Sequence, residues 1–172
     1  IFTSGDPTSD IDNTLAGVDF RYQETRFSVR YTLTGNTFYQ QTDTEGLEGD
    51  DKAYGVKADL DTQGTGVGGS MGYEYFGEHY RPALGFANRV GIDNFNADTS
   101  ARYFVPDHPW LRTLNTSASY EYTRRLDNKE LQSESLFWNV VSINTHRGDQ
   151  VSLNVSRDRE GLDEPFEISP GV

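Results

Sequence analysis

The 172-residue sequence has no cysteine, a single methionine and no long apolar run. Without cysteine there can be neither a disulfide framework nor a thiolate metal site. A transmembrane helix needs roughly 18 consecutive apolar residues, and no such run occurs. The sequence does not begin with Met and shows no signal peptide. We therefore expect it to be an excerpt of a longer polypeptide, which makes the missing signal uninformative.

Positive charge is also scarce in this chain. There are 15 Lys and Arg residues against 27 Asp and Glu residues, which gives a net charge of -12. A nucleic-acid partner would require a basic patch that can neutralise phosphates. The sequence therefore predicts no nucleic-acid partner, and a solvated acidic surface accounts for most of the charge.

Hydrophobic residues make up only 34% of the sequence, although aromatic residues reach 13%. The mean hydropathy is -0.70. An average soluble domain is nearer half apolar, so a domain this polar has difficulty filling a core. A membrane β-barrel avoids that difficulty, because only one face of each strand is apolar while its lumen and loops are polar.

Apolar and polar residues alternate along most of the chain, as in the stretch from Val67 to Tyr75. This period of two is typical of strands with one apolar and one polar face. After a loop over residues 1–13, such segments are predicted at 15–23, 26–41, 53–60, 67–75, 95–105, 111–123, 131–144 and 150–157. Between them lie an acidic loop at 42–52 and a longer loop at 76–94.

Several connections are short enough for hairpins, so neighbouring strands should pair antiparallel. The pattern predicts an all-β fold, an antiparallel meander of about eight strands that forms one segment of a transmembrane β-barrel over residues 1–172. On the seventh strand, Leu136, Trp138 and Val140 are predicted to share the apolar face.

Alternation alone does not distinguish a lipid-facing barrel from a soluble sheet with an apolar interior. Strands of roughly 9–13 residues are long for a sandwich and suit a tilted membrane strand. Tyrosines also lie near strand ends, where an amphipathic ring suits the headgroup layer. These are Tyr22, Tyr39, Tyr75, Tyr103 and Tyr122.

Charged residues on the predicted polar faces are the candidate functional side chains. In a barrel they would face the lumen and set its selectivity. The lumen-facing candidates are Arg30, Lys57, Glu74, Arg102 and Glu121. Glu74 and Glu121 could in principle form a glycosidase pair, but lumen lining is the favoured interpretation.

No residue pattern predicts a catalytic, cofactor or metal site. The carboxylates of the acidic loop could gather around Ca²⁺, but their spacing is not that of an EF-hand and a solvated loop is the favoured interpretation. The stretch from Gly64 to Gly69 matches G-x-G-x-x-G, yet a strand rather than a helix follows it, so a dinucleotide site is not expected. The three histidines lie far apart, without the spacing of metal ligands.

Four stretches of the sequence carry a family resemblance: Ala16–Tyr22, Phe38–Asp51, Tyr80–Arg89 and Glu164–Val172. With them the chain resembles a bacterial family of unknown function. Its members place a carbohydrate-binding-module-like domain of family nine ahead of a C-terminal outer-membrane β-barrel region. The phrase at 82–86, Pro-Ala-Leu-Gly-Phe, is its most specific part, and family members usually have Asn where Arg81 stands.

The resemblance implies a place in the outer membrane of a Gram-negative type bacterium, with outer-membrane lipid as partner. Carbohydrate would be bound, if at all, by a domain outside this chain. The expected function is non-enzymatic, as a membrane anchor or a solute passage that could serve carbohydrate uptake or binding. The alternatives are a soluble β-sheet carbohydrate-binding module with exposed Tyr and Trp, and a hydrolase carried by the barrel.

Overall fold

The computed structural model describes residues 1–6, 11–28, 30–49, 51–83, 87 and 89–162, apart from the side chains of 26–28. These residues form nine strands: β1 Phe2–Ser4, β2 Asn13–Ser28, β3 Tyr31–Thr44, β4 Lys52–Thr62, β5 Gly66–Phe76, β6 Ile92–Phe104, β7 Leu111–Arg125, β8 Leu131–Thr145 and β9 Gln150–Glu160. Each strand pairs antiparallel with the next in a single open sheet. The predicted all-β antiparallel meander is confirmed, with nine strands rather than about eight.

The additional strand is β1, which lies within the predicted loop at 1–13 and pairs with β2 through Thr3 and Leu15. Three residues are too few for a period of two to be visible in sequence. Both predicted loops are also shorter than expected. Strand β3 continues to Thr44 and β4 begins at Lys52, while the second connection occupies only 77–91.

The turn between β2 and β3 lies later in the chain than the sequence suggested. The pattern placed a break near residue 25, but β2 continues to Ser28 and β3 begins at Tyr31. The pairing is irregular between Glu24 and Ser28, which obscures the alternation there. Arg30 therefore lies exposed in the turn and not on the polar face of a strand, which corrects its predicted position.

An extra residue in β8 changes which side chains share a face. Asn139 pairs with Ser117, and Ser142 pairs with Asn115, so two residues of β8 lie opposite one residue of β7. The same irregularity appears against β9. Such a bulge shifts the alternation by one residue. The face of Trp138 consequently continues at Val141, and the prediction that Val140 extends it is wrong.

Directly paired residues of an antiparallel sheet share a face, so the pairing defines two surfaces. The first, the apolar face, carries Val18, Phe20, Tyr22, Tyr39, Tyr54, Val56, Val67, Met71, Tyr73, Tyr75, Phe95, Tyr103, Tyr120, Tyr122, Leu136, Trp138, Val151, Leu153 and Val155. The opposite, polar face carries mostly Asp, Glu, Asn, Ser, Thr, Gly, Lys and Arg, with Phe104 and Phe137 as exposed exceptions.

Buried hydrophobic residues are few in the described part of the chain: Leu15, Ala53, Tyr80 and Ile92. Leu15, Ala53 and Tyr80 form one cluster, against which Phe38 and Phe76 pack. All of the strand residues in this cluster lie on the polar face, near one end of the sheet. The apolar face contributes nothing to this core.

Two glycines on the apolar face differ in the space around them. A Cβ at Gly69 would lie 2.4 Å from the carbonyl oxygen of Asp98, whereas a Cβ at Gly35 would lie 3.9 Å from its nearest neighbour, Tyr22. We expect Gly69→Ala to lower the free energy of unfolding by about 1–3 kcal/mol, because backbone must move. Gly35→Ala should raise it by about 0.5–1 kcal/mol, because alanine loses less chain entropy than glycine. Urea unfolding midpoints measure both changes, and equal midpoints for the two variants would contradict this reading of the backbone.

Candidate functional site

The sheet exposes its apolar face across most of its width. Val18 on β2, Met71 on β5 and Leu153 on β9 are 64%, 57% and 56% exposed. Soluble monomers rarely expose contiguous apolar patches larger than a few hundred Å². The exposed apolar face, which extends from β2 to β9, is therefore the first candidate for a binding surface.

The two ends of the sheet differ in their connections. One end, the long-loop end, carries the connections 45–51, 77–91 and 126–130. The other, the short-turn end, carries 29–30, 63–65, 105–110 and 146–149. Long and short connections are thus sorted by end, except for the six-residue connection 105–110.

The boundary of the apolar face at the long-loop end runs obliquely across the strands. On β2 the face begins at Ala16, and on β9 it begins at Val155. A row of directly paired residues runs across the sheet from Val155 on β9 to Glu24 on β2. It passes through Trp138, Ala118, Thr99, Gly69, Leu60 and Leu33. Glu24 lies eight residues beyond Ala16, so the boundary shifts by that distance over the seven steps from β2 to β9.

The shift is gradual rather than abrupt. Between β2 and β9 the apolar face begins at Tyr39, Tyr54, Tyr75, Phe95, Tyr122 and Leu136. Leu131, which pairs with Arg124 beyond a register shift, is the exception on β8. The residues just outside the boundary are Thr14, Gln41, Lys52, Asp93, Arg124, Glu134 and Arg157. Eight residues extend about 27 Å along a strand and seven spacings about 34 Å across it, so the boundary is inclined by about 40°.

Aromatic and charged groups meet at this boundary. The rings of Tyr54 and Tyr75 stack with centroids 4.8 Å apart and planes 12° apart. Arg124 donates two hydrogen bonds to the Asp93 carboxylate, one of them from Nε at 3.2 Å. The Tyr73 hydroxyl lies 3.5 Å from the same carboxylate. The charge on Asp93 is thus compensated where the apolar face ends.

Four of the five predicted lumen residues lie on the polar face, in two recesses. Lys57 and Arg102 line a recess of about 490 Å³ near the short-turn end. Glu74 and Glu121 line a recess of about 780 Å³ near the long-loop end. Arg30 is the exception, because it lies in the turn between β2 and β3.

Most of these charged groups are held by neighbours on the same face. Lys57 Nζ lies 3.0 Å from Asp59 Oδ1. Arg102 Nε donates to Asn115 Oδ1 at 3.0 Å. Asn94, which pairs with Glu74 across the strands, donates to Glu121 Oε1 at 3.1 Å. The polar face is therefore a network of fixed hydrogen-bonding groups.

The chain after β5 turns inward over the polar face, a feature that the sequence did not predict. We call residues 77–83 the strap. Tyr80 is 4% exposed and packs with Leu15 and Ala53. Its ring centroid lies 6.0 Å from that of Phe76, and its hydroxyl donates to Gln40. Burial raises the pKa of Tyr80.

Two hydrogen bonds and one ion pair hold the strap to β3, to β2 and to Asp6, which follows β1. The backbone N–H of Arg81 donates to Thr42 Oγ1 at 3.2 Å. Asn13 Nδ2 donates to the carbonyl oxygen of Arg81 at 3.0 Å. The Arg81 guanidinium lies 2.9 Å from Asp6 Oδ2, whose side chain is 1% exposed. The sequence did contain a signal for a covering segment. Four apolar residues interrupt the polar face at one end of the sheet: Leu15, Phe38, Ala53 and Phe76.

The described ranges include no helix with the length and apolarity needed to span a bilayer. Within the same ranges no three or more His, Cys, Asp or Glu side chains are grouped as metal ligands would be. Comparison with protein-family models, with curated proteins and with solved structures finds no match. The family resemblance of the sequence stays a prediction, and parts of it, at 84–86 and Glu164–Val172, lie outside the described residues.

Removal of the Tyr80 ring should destabilise the long-loop end. We expect Tyr80→Ala to lower the free energy of unfolding by about 3 kcal/mol, as for other buried aromatic residues. Tyr80→Phe should cost about 1 kcal/mol, because it removes only the hydrogen bond to Gln40. Tyr103→Ala is the matched control, since Tyr103 is 63% exposed and should change stability by less than about 0.5 kcal/mol. Equal denaturation midpoints for Tyr80→Ala and Tyr103→Ala would show that the strap is not packed as described.

Proposed function

We propose that this chain is a membrane-spanning segment of an outer-membrane β-barrel, in a bacterium of the Gram-negative type. Its apolar face contacts lipid acyl chains, and its polar face lines an aqueous interior. The segment acts without catalysis, as an anchor for an attached domain or as part of a passage for a polar solute.

The oblique boundary of the apolar face is the observation that carries this proposal. A membrane surface is a plane, and barrel strands cross it with a tilt of roughly 35–45°. The edge of a lipid-facing belt must therefore cross successive strands at that same angle. The boundary from Ala16 to Val155 has an inclination of about 40°, from the spacing of residues and strands.

The height of the belt fits the same interpretation. On β5 it extends from Tyr75 to Val67, which is about 27 Å along the strand and about 21 Å along the normal after a 40° tilt. The apolar band of outer-membrane barrels is about 25 Å tall and has aromatic residues at its edges. Tyr39, Tyr54 and Tyr75 occupy such an edge here, and short turns alternate with longer loops as in those barrels.

A soluble carbohydrate-binding sheet is the second candidate, and the stacked pair Tyr54 and Tyr75 favours it. Tyr39, which pairs directly with Tyr54, extends these rings into a row that is partly exposed. Flat aromatic surfaces of this kind could stack on sugar rings. This candidate gives no reason for an apolar boundary that shifts steadily over seven strand spacings.

An arginine substitution in the middle of the apolar belt distinguishes a lipid-facing surface from a water-facing one. We expect Met71→Arg in the full-length protein to cost about 2–4 kcal/mol in a bilayer, as at the midplane of other barrels. In a soluble sheet the same change should stay within about 0.5 kcal/mol, because Met71 is 57% exposed. Ser119→Arg on the polar face is the control and should be tolerated. Urea unfolding from liposomes measures both, and a tolerated Met71→Arg would argue for the soluble sheet.

The inclination of the boundary can be tested separately with two aromatic residues that lie in one row of directly paired residues across the sheet. Phe20 and Tyr122 are linked by direct pairs through Thr37, Val56, Tyr73 and Phe95. With a tilted membrane plane Phe20 lies inside the belt and Tyr122 at its edge. Phe20→Arg should then cost about 2–4 kcal/mol and Tyr122→Arg about 0–1 kcal/mol in a bilayer. Equal costs, measured by the same unfolding assay, would refute the tilt.

Membrane insertion itself can be followed more simply. The full-length protein should partition into detergent and show heat-modifiable mobility on a gel. Solubility without detergent, together with saturable binding of a polysaccharide, would instead support the second candidate.

A further inference from the structure

The strap crosses a large part of the polar face. It leaves β5 at Gly77, whose backbone N–H donates to the Lys52 carbonyl oxygen at 2.8 Å. Its far contacts are with Thr42 on β3 and Asn13 on β2. From β5 to β2 is three strand spacings, about 14 Å. The strap therefore occupies the space in front of four neighbouring strands at the long-loop end.

The contacts of the strap indicate a fixed element. The Tyr80 side chain is buried beneath it, and polar bonds hold it at both of its ends. Gly49, in the neighbouring connection, also lies close to the strap, because a Cβ there would be 2.8 Å from His79 Nδ1. Gly49 has φ +131°, a conformation that other residues rarely adopt. Glycine thus permits both the turn and the close approach of the strap.

Beside the strap the polar face stays open. The recess of about 780 Å³ has Glu74, Glu121 and Glu160 on the strands and Ala87 and Arg89 on the connection. That volume lies within the range of small-molecule pockets, about 300–1,000 Å³. The carboxylates along its wall, together with the amide of Asn94 that donates to Glu121, suit small polar solutes that form hydrogen bonds.

We propose that the strap is the narrowest part of the interior and sets the upper size of the solute that passes. This inference rests on the proposed function, in its form as a solute passage. Tyr80 and Asn13 are positioning residues, since they hold the strap and need not touch the solute. The solute class is a small, polar, hydrogen-bonding molecule of the size of a monosaccharide.

Release of the strap should therefore relax the size limit. The full-length protein is placed in liposomes, and swelling rates are measured with a monosaccharide and with a trisaccharide. The double variant Asn13→Ala/Tyr80→Ala should raise the ratio of trisaccharide to monosaccharide rates. Tyr103→Ala, an equal truncation on the opposite face, should leave the ratio unchanged.

A milder variant guards against loss of folding. Asn13→Ala/Tyr80→Phe removes polar bonds of the strap but keeps the buried ring, and it should raise the same ratio to a smaller extent. Heat-modifiable mobility confirms that each variant is folded and inserted. An unchanged ratio in inserted variants that still admit the monosaccharide would overturn the role of the strap. An inserted wild-type protein that admits neither sugar would overturn the passage as well, while insertion would still support the anchor.

Discussion

The ladder of backbone hydrogen bonds between neighbouring strands is the interaction on which this structure depends. Among the described residues the buried hydrophobic side chains number four, too few to hold nine strands together by packing. Hydrocarbon offers no water to bond with backbone N–H and C=O groups. Breaking such a ladder there would therefore cost more free energy than in water. In the proposed membrane setting the backbone groups on the outer edges of β1 and β9 would also need partners.

The small core lies where the ladder needs support. Leu15, Ala53 and Tyr80 join at the long-loop end, on the polar face, and so leave the apolar face uncovered. The strap combines two roles in this arrangement. Its buried ring stabilises the ends of β2 to β5, and its backbone covers part of the polar face. Stability and permeability are therefore coupled through one short segment in the proposed passage.

Much of the fold follows from the sequence, because a period of two is a local property of the chain. The all-β meander and most strand positions were predicted from it, and the structure confirms them. The turn before Tyr31, the bulge near Val140 and strand β1 were missed, since each depends on pairing with a neighbouring strand. The faces of Lys57, Glu74, Arg102 and Glu121 agree with their predicted alternation, whereas a lumen around them stays a proposal.

The strap and the oblique boundary could not be predicted from the sequence for a related reason. Alternation assigns each residue to a face, but the boundary exists only once the register of all strands is known. The inward course of residues 77–83 depends on a pocket formed by strands that are distant in sequence, with Gln40 and Asn13 as bonding partners. Local patterns do not contain that information.

Strictly sequential pairing has a consequence for how such a wall could grow. Each strand bonds only to its neighbours in the chain. A hairpin gained at the β9 edge would therefore widen the sheet without changing any of the existing pairs among β1 to β9. The strap is bonded to β2, β3, β4, Asp6 and Gly91, so an addition at the β9 edge would leave these contacts unchanged. Addition of hairpins is thus a route by which the proposed passage could widen around an unchanged constriction.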